Sequence, residues 1–168
     1  MKSIQVGMVS LGCAKNLVDG ELMLGSLVDA GYELVNDPGQ AQVIVVNTCG
    51  FIESAKAESI NSILEMASYK DEGHCRALIV TGCLSQRYSR ELMREMPEID
   101  GMLGTGTIDK LPELLEAIEA GQRPIYVGEA GFNYHSAMPR VLTTPSHTAY
   151  LKIAEGCSHS CAYCVIPT

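Results

Sequence analysis

The sequence predicts an α/β protein built on a doubly wound, mostly parallel sheet with flanking helices. Three apolar runs of strand length carry this prediction: Ile4 to Cys13 (IQVGMVSLGC), Val43 to Cys49 (VIVVNTC) and Ala77 to Cys83 (ALIVTGC). Each ends in one or two small or polar residues and then a cysteine. Helix-patterned segments separate them, giving the strand–helix alternation of such folds. The runs are continuously apolar rather than alternating, which fits strands buried on both faces, the usual condition of a parallel sheet. In a parallel sheet all carboxyl ends share one edge, and ligand sites form there. Cys13, Cys49 and Cys83 would therefore converge on that edge from distant points in the chain, a geometry suited to a metal or cluster site.

The elements follow in order. Asn16 is placed to cap a helix reaching about Ala30, with Leu17, Leu24, Leu27 and Val28 turned inward and Gly31 as its stop. Tyr32 to Val35 reads as a short strand and Asn36-Asp37-Pro38-Gly39 as a turn. Beyond the central strand, Ser54 is placed to cap a helix with Ile60, Ile63, Leu64 and Ala67 at helical spacing, ending in the polar stretch Lys70 to His74. Ser85 is placed to cap a third, carrying Leu92, Met93 and Met96 and terminated by Pro97. Ile99 to Leu103 reads as a short strand. Ile108, Leu111, Leu115 and Ile118 mark a last helix, its regular part starting at Pro112 and Gly121 closing it. Together these make a domain of residues 1–128.

Residues 129–147 contain Gly131, Pro139 and Pro145 without a helical period, and read as a linker. Tyr150-Leu151-Lys152-Ile153 alternates like a strand and leads into Glu155-Gly156-Cys157. Residues 148–168 thus read as the start of a second, truncated domain, since a lone strand and loop cannot bury a core.

The 168 residues are 46% hydrophobic, and no run approaches the ~18 residues of a membrane helix. Strand pattern begins almost at Met1, leaving no room for a signal peptide, so a cytoplasmic protein without membrane contact is expected. Seven cysteines in a reducing compartment point to metal binding or catalysis rather than disulfides. The net charge of −8, with no Lys/Arg cluster, argues against a direct phosphate grip on nucleic acid by this chain. Such acidity suits a basic protein partner.

The second cysteine set is local: Cys157-Ser-His-Ser-Cys161-Ala-Tyr-Cys164, a C-x3-C-x2-C loop. Three thiolates so spaced can bind three irons of a cubane [4Fe–4S] cluster, leaving a fourth iron open to a substrate or cofactor. A zinc loop, with His159 or a distant residue as fourth ligand, is the alternative. One strand-end cysteine alone reads as a small buried hydrophobe, but three at equivalent positions do not. Cys75 precedes its strand and so belongs at the opposite edge, as a structural or surface thiol. Gly101-x-x-Gly104-x-Gly106 lacks the dinucleotide order of glycines and reads as a tight turn. His74, His135, His147 and His159 lie in polar or loop contexts and are assigned no chemistry. Asn16 and Asn47 can donate hydrogen bonds near the upstream cysteines, or simply serve caps and turns.

With the aromatic Tyr163 just before its last cysteine, the loop resembles those of the radical S-adenosylmethionine enzymes. Taken with Cys13, Cys49 and Cys83, the whole chain resembles the methylthiotransferases, matching their amino-terminal domain plus the first strand and cluster loop of the radical barrel. The resemblance implies that Cys157, Cys161 and Cys164 hold a [4Fe–4S] cluster whose open iron is chelated by S-adenosylmethionine, with Tyr163 near the adenine. One electron, from a donor protein, then yields a 5′-deoxyadenosyl radical. Cys13, Cys49 and Cys83 would hold a second [4Fe–4S] cluster carrying the sulfur that is transferred. An unactivated C–H bond lies beyond side-chain acids and bases, which is why the chemistry falls to cofactors.

Ser10-Leu11-Gly12-Cys13-Ala14-Lys15-Asn16, Asn47 to Ser54 and Gly82 to Tyr88 resemble the branch that modifies a ribosomal protein. The tRNA-modifying branches more often carry Gln-Met-Asn after the first cysteine. The implied reaction is methylthiolation of the β-carbon of an aspartate in ribosomal small-subunit protein twelve. A tRNA adenosine methylthiotransferase, and a non-catalytic zinc or iron–sulfur module, stay open as alternatives. The rest of the barrel and the carboxy-terminal domain usual in the family are missing, so the fragment alone is expected to be inactive, one barrel strand being too little to line a cofactor pocket.

Overall fold

The computed structural model describes residues 4–71, 73–129, 134–135, 137–154 and 156–164. Gly131, Glu155 and the chain's first residues, which the sequence reading used, lie outside the described residues, as do residues 165–168. The elements are β1 (Gln5–Ser10), α1 (Ala14–Asp29), β2 (Glu33–Val35), β3 (Val43–Thr48), α2 (Glu53–Asp71), β4 (Ala77–Gly82), α3 (Cys83–Glu95), β5 (Gly101–Leu103), α4 (Leu111–Glu119) and β6 (Ile125–Tyr126). Single 3-10 turns at Pro38–Gln40 and Ile108–Lys110 precede β3 and α4.

The six strands form one sheet in the order β2-β1-β3-β4-β5-β6, and every pairing is parallel. β3 and β4 occupy the centre, and all six residues of each are buried, which accounts for their unbroken apolar runs. On one face Val6, Val43, Val45, Ile79 and Leu103 pack against Val18, Met23 and Leu27 of α1 and Leu111, Leu114 and Leu115 of α4. On the other, Ile44, Val46, Leu78, Val80 and Met102 meet Ile63, Met66 and Ala67 of α2 and Leu84, Leu92 and Met93 of α3. Helices on both faces and a reversal of strand order beside β1 are the doubly wound arrangement that the sequence predicts. Among the described residues no helix is long and apolar enough to cross a membrane.

Several local expectations are corrected. Helix α1 starts at Ala14 with Cys13 as its N-cap, so Asn16 lies inside the first turn and caps nothing. Val28 is half exposed, and the inward stripe of α1 runs instead through Val18, Leu22, Met23 and Leu27. Similarly Ile60 and Leu64 of α2 are partly exposed, while Ile63 and Ala67 face the core. Helix α3 starts at Cys83, because Gly82 takes φ +96° and turns the chain directly from strand into helix. Ser85 then lies within the helix, its hydroxyl 2.9 Å from the Gly82 carbonyl oxygen and 2.5 Å from that of Leu103. Strand β6 has no counterpart in the sequence reading. Two residues pairing at an edge, Ile125 and Tyr126, leave no periodicity to detect.

Tyr150 to Ile153 does not form a strand. Leu151 and Ile153 are more than four-fifths exposed, and a strand has no ladder without a neighbour to pair with. The described part of the 129–147 stretch lacks regular structure. It is nevertheless packed on α1, with Tyr134 and Met138 against that helix's core face.

Candidate metal centre at the carboxyl edge

Strands β1, β3 and β4 are consecutive neighbours, and their register places the three upstream cysteines on one edge. Thr48 pairs with Gly82, so Cys49 and Cys83 each follow paired residues. Ser10 pairs with Asn47, and the Leu11 N–H continues the ladder by donating to the Asn47 carbonyl at 2.9 Å, which delivers Cys13 to the same end. Cys13 and Cys83 also stand at the amino ends of α1 and α3, where unpaired N–H groups favour negative charge.

Glycines bring these turns together. A β-carbon on Gly12 (φ +93°) would lie 2.9 Å from the Cβ and 3.2 Å from the Sγ of Cys49. One on Gly50 would lie 3.0 Å from the Leu84 Cα and 3.3 Å from the Cys83 carbonyl carbon. One on Gly82 would overlap the Thr48 carbonyl oxygen at 2.3 Å. Each cysteine thus has a glycine beside it in sequence, and each glycine packs against a neighbouring cysteine turn. The sequence reading did not weigh this signal, although Gly-Cys, Cys-Gly and Gly-Cys at the three strand ends display it.

Buried polar side chains fix the same edge. Asn16, 4% exposed, donates through Nδ2 to the carbonyls of Leu11 at 2.7 Å and Thr48 at 3.2 Å, tying the turn before Cys13 to the residue before Cys49. Asn47 donates to the Asn16 carbonyl at 2.7 Å. The Ser59 hydroxyl of α2 accepts from the Cys49 N–H at 3.0 Å and donates to the Cys49 carbonyl at 2.9 Å. The hydrogen-bonding expected of Asn16 and Asn47 is therefore present, aimed at backbone rather than at a thiol. Among the described residues Asn47 Oδ1 and Thr81 Oγ1 are buried without a hydrogen-bond partner, both on strands that lead to cysteines. Buried polar atoms are normally paired, so this edge carries polar capacity that its own residues do not use.

In exposure the two sets are close, since Cys13 is exposed with Cys49 and Cys83 half-buried, and Cys157 and Cys161 are exposed with Cys164 half-buried; they differ in what holds them. The Cys164 N–H donates to the Cys161 carbonyl at 3.1 Å and the His159 N–H approaches the Cys157 Sγ at 3.5 Å, so the loop is a chain of local turns. Tyr163 is 93% exposed. Cys75, by contrast, is buried at the amino end of β4, with its thiol 3.4 Å from the Ala77 carbonyl, and burial pushes its pKa up. It lies at the edge opposite the other cysteines, as its place before the strand predicts, and of the two roles expected it takes the structural one.

Among the described residues no three His, Cys, Asp or Glu side chains converge as ligands of a single metal ion. The donor sets nonetheless suit a cubane cluster, which takes one thiolate on each of several irons and not several on one. In the first set the three thiols stand on turns that follow three adjacent strands, and in the second they lie within eight residues of sequence.

The fold and its cysteine-bearing edge define an α/β domain that can be compared with known families. The chain belongs to the family described as uncharacterized protein family UPF0004, whose model matches residues 5–104, from β1 through the residue after β5. It is similar to proteins named ribosomal protein uS12 methylthiotransferase RimO. The identity is 56% over 163 residues with that of Anaeromyxobacter sp. (strain K), covering 97% of this chain and 34% of the relative. With those of Pelotomaculum thermopropionicum and Desulforamulus reducens it is 52% and 53%, covering 98% and 96% of this chain and 37% of each relative. The chain therefore spans about a third of the length of the curated relatives it matches.

Proposed function

We propose that this chain is the amino-terminal third of an enzyme that methylthiolates the β-carbon of an aspartate in ribosomal protein uS12. Cys13, Cys49 and Cys83 hold one [4Fe–4S] cluster, and Cys157, Cys161 and Cys164 hold a second that binds S-adenosylmethionine, with Tyr163 beside the adenine. When bound, the two groups supply a transferable sulfur and the one-electron chemistry that breaks an unactivated C–H bond. The single observation that carries this reading is the register of β1, β3 and β4, which ends three adjacent parallel strands in cysteine on one edge. The names of relatives about half identical along nearly the whole chain support the substrate.

The chain's own residues bind and orient. Cys13 and Cys83 present their side chains at helix amino ends. Asn16 and Ser59 hold the backbone around Cys49, and Gly12, Gly50 and Gly82 let the cysteine-bearing turns approach one another closely. The acidic composition suits a basic ribosomal protein as partner. A cytoplasmic location and a separate electron-donor protein complete the proposal.

The test uses the full-length protein, reconstituted anaerobically and offered uS12 and tRNA in parallel. One methylthio group on a uS12 aspartate, with tRNA unmodified, is the expected result; modification of tRNA alone overturns the substrate. Metal analysis should give about eight irons and eight sulfides per chain. One zinc without sulfide overturns the cluster assignment. The 168-residue chain by itself should release no 5′-deoxyadenosine.

A further inference from the structure

Helix α1 buries two carboxylates that are held by residues far along the chain. Asp19 and Glu21 are 5% and 1% exposed, in the middle of a helix that packs on the sheet. A buried carboxylate without a partner costs several kcal/mol, so such residues demand cations or hydrogen-bond donors. Residues beyond β6 supply them. Glu21 receives the Arg140 guanidinium at 2.6 and 2.9 Å, the Thr143 N–H at 2.7 Å and the Thr143 hydroxyl at 3.0 Å. Asp19 receives the Tyr134 hydroxyl at 2.7 Å and the Lys152 ammonium at 2.8 and 2.9 Å. That ammonium is itself 3% exposed, hydrogen-bonded to the Tyr134 hydroxyl and 4.5 Å from the Tyr134 ring centre.

Residues two apart on a helix point about 200° away from each other, so one segment holding both must wrap the helix. Residues 137–152 do so. They pass Leu22 and Ser26 at Met138 and Pro139, cross α1 at Gly25 and return along Glu21 to Asp19. At the crossing a β-carbon on Gly25 would stand 2.3 Å from the Pro139 carbonyl oxygen, so this glycine admits backbone where any side chain would expel it. The Val141 N–H donates to the Glu21 carbonyl at 3.0 Å, and Arg140 also reaches the Tyr150 carbonyl at 2.8 Å, closing the wrap on itself. A cavity of about 410 Å³, lined by Met8, Ser10, Leu24, Leu34 and Leu142 among others, lies beneath it. Burial raises the Glu21 pKa, but the Thr143 N–H, the Arg140 and Thr143 side-chain hydrogen bonds and the Arg140 charge outweigh this and hold the carboxyl below its usual value.

We propose that Asp19 and Glu21 are positioning residues that clamp residues 137–152 around α1 and so fix where the Cys157–Cys164 loop departs relative to the Cys13, Cys49 and Cys83 edge. Lys152 is the last clamped residue, five before Cys157. What reads in sequence as a linker is a fitted strap whose length and attachment set the distance between the two cysteine sets. Its importance for transfer between those sets rests on the two-cluster reading; the clamp itself does not.

The test therefore avoids iron. Spin labels attached without thiol chemistry, at exposed Glu65 on α2 and exposed Ser158 in the loop, report one distance in the 168-residue chain. A narrow distribution is expected for the parent chain and a broad one for Asp19→Asn, Glu21→Gln and Gly25→Ala. Amide exchange of residues 140–152 should quicken by roughly tenfold or more, with β3 and β4 unaffected. Gly25→Ala guards against a trivial explanation, since alanine favours helix over glycine and still must eject the strap. Carboxylates that only stabilise the fold would lower the melting temperature and leave the distance distribution narrow, which overturns the proposal. A broad distribution in the parent chain does the same. Neither result bears on whether the cysteines hold clusters.

Discussion

Gly82-Cys83 and Gly156-Cys157 are the same dipeptide, and both glycines hold positive φ, +96° and +72°, yet they do opposite work. Gly82 lies where two central strands give way to a helix, with the Thr48 backbone in the space a side chain would need. Around Gly156 nothing among the described residues stands within 4 Å of an added β-carbon. The first cysteine set is assembled by the sheet, from residues 13, 49 and 83, and its geometry is inseparable from the core. The second is assembled by local spacing in an exposed loop, and its geometry is set by turns alone. Two sets of three thiols on one chain thus differ in what would have to change to destroy them.

The strongest way to break this contrast is to give both glycines a methyl group. Gly82→Ala combines left-handed strain with overlap on the Thr48 carbonyl and should cost about 3 kcal/mol or more, read as a large drop in the denaturant midpoint. Gly156→Ala incurs only the strain, about 1 kcal/mol and confined to the loop, and should leave the midpoint in place. Equal shifts would mean that the loop is part of the cooperative core and the contrast is wrong. A smaller effect sharpens the first half of the comparison. Asn16→Ala removes the bridge between the turns before Cys13 and Cys49 and leaves the Leu11 and Thr48 carbonyls short of a donor, for about 1–3 kcal/mol. Hydrogen exchange at Leu17 and Cys49 should rise with it. The mildest test is chemical. In the metal-free chain Cys157 and Cys161 should be alkylated early, and Cys75, buried and with its pKa raised, only as the protein unfolds. Early modification of Cys75 would show that the amino end of β4 opens more readily than its burial implies.

How much of this was legible beforehand follows the range of the interactions. Val43 to Thr48 and Ala77 to Gly82 announced themselves because burial on both faces leaves a run with no polar break. The loop Cys157 to Cys164 was legible because its three cysteines lie within eight residues. Asn16 was misread as a helix cap because side chains of its type usually serve that role; its actual partners, Leu11 and Thr48, are adjacent only once β1 and β3 pair. Tyr150 to Ile153 carried a strand's alternation without a strand's neighbours.

By itself the sequence determined the strand runs, the helices between them, the edge on which Cys13, Cys49 and Cys83 had to fall, and the exclusion of Cys75 from it. Periodicity and burial are properties of a segment, and a segment carries them wherever it is read. Only the tertiary structure decided that Gly12, Gly50 and Gly82 interlock the cysteine turns, and that Asp19 and Glu21 seize residues more than a hundred positions away. Close approach of backbones and the pairing of buried charges depend on which surfaces meet, and no local pattern encodes that meeting.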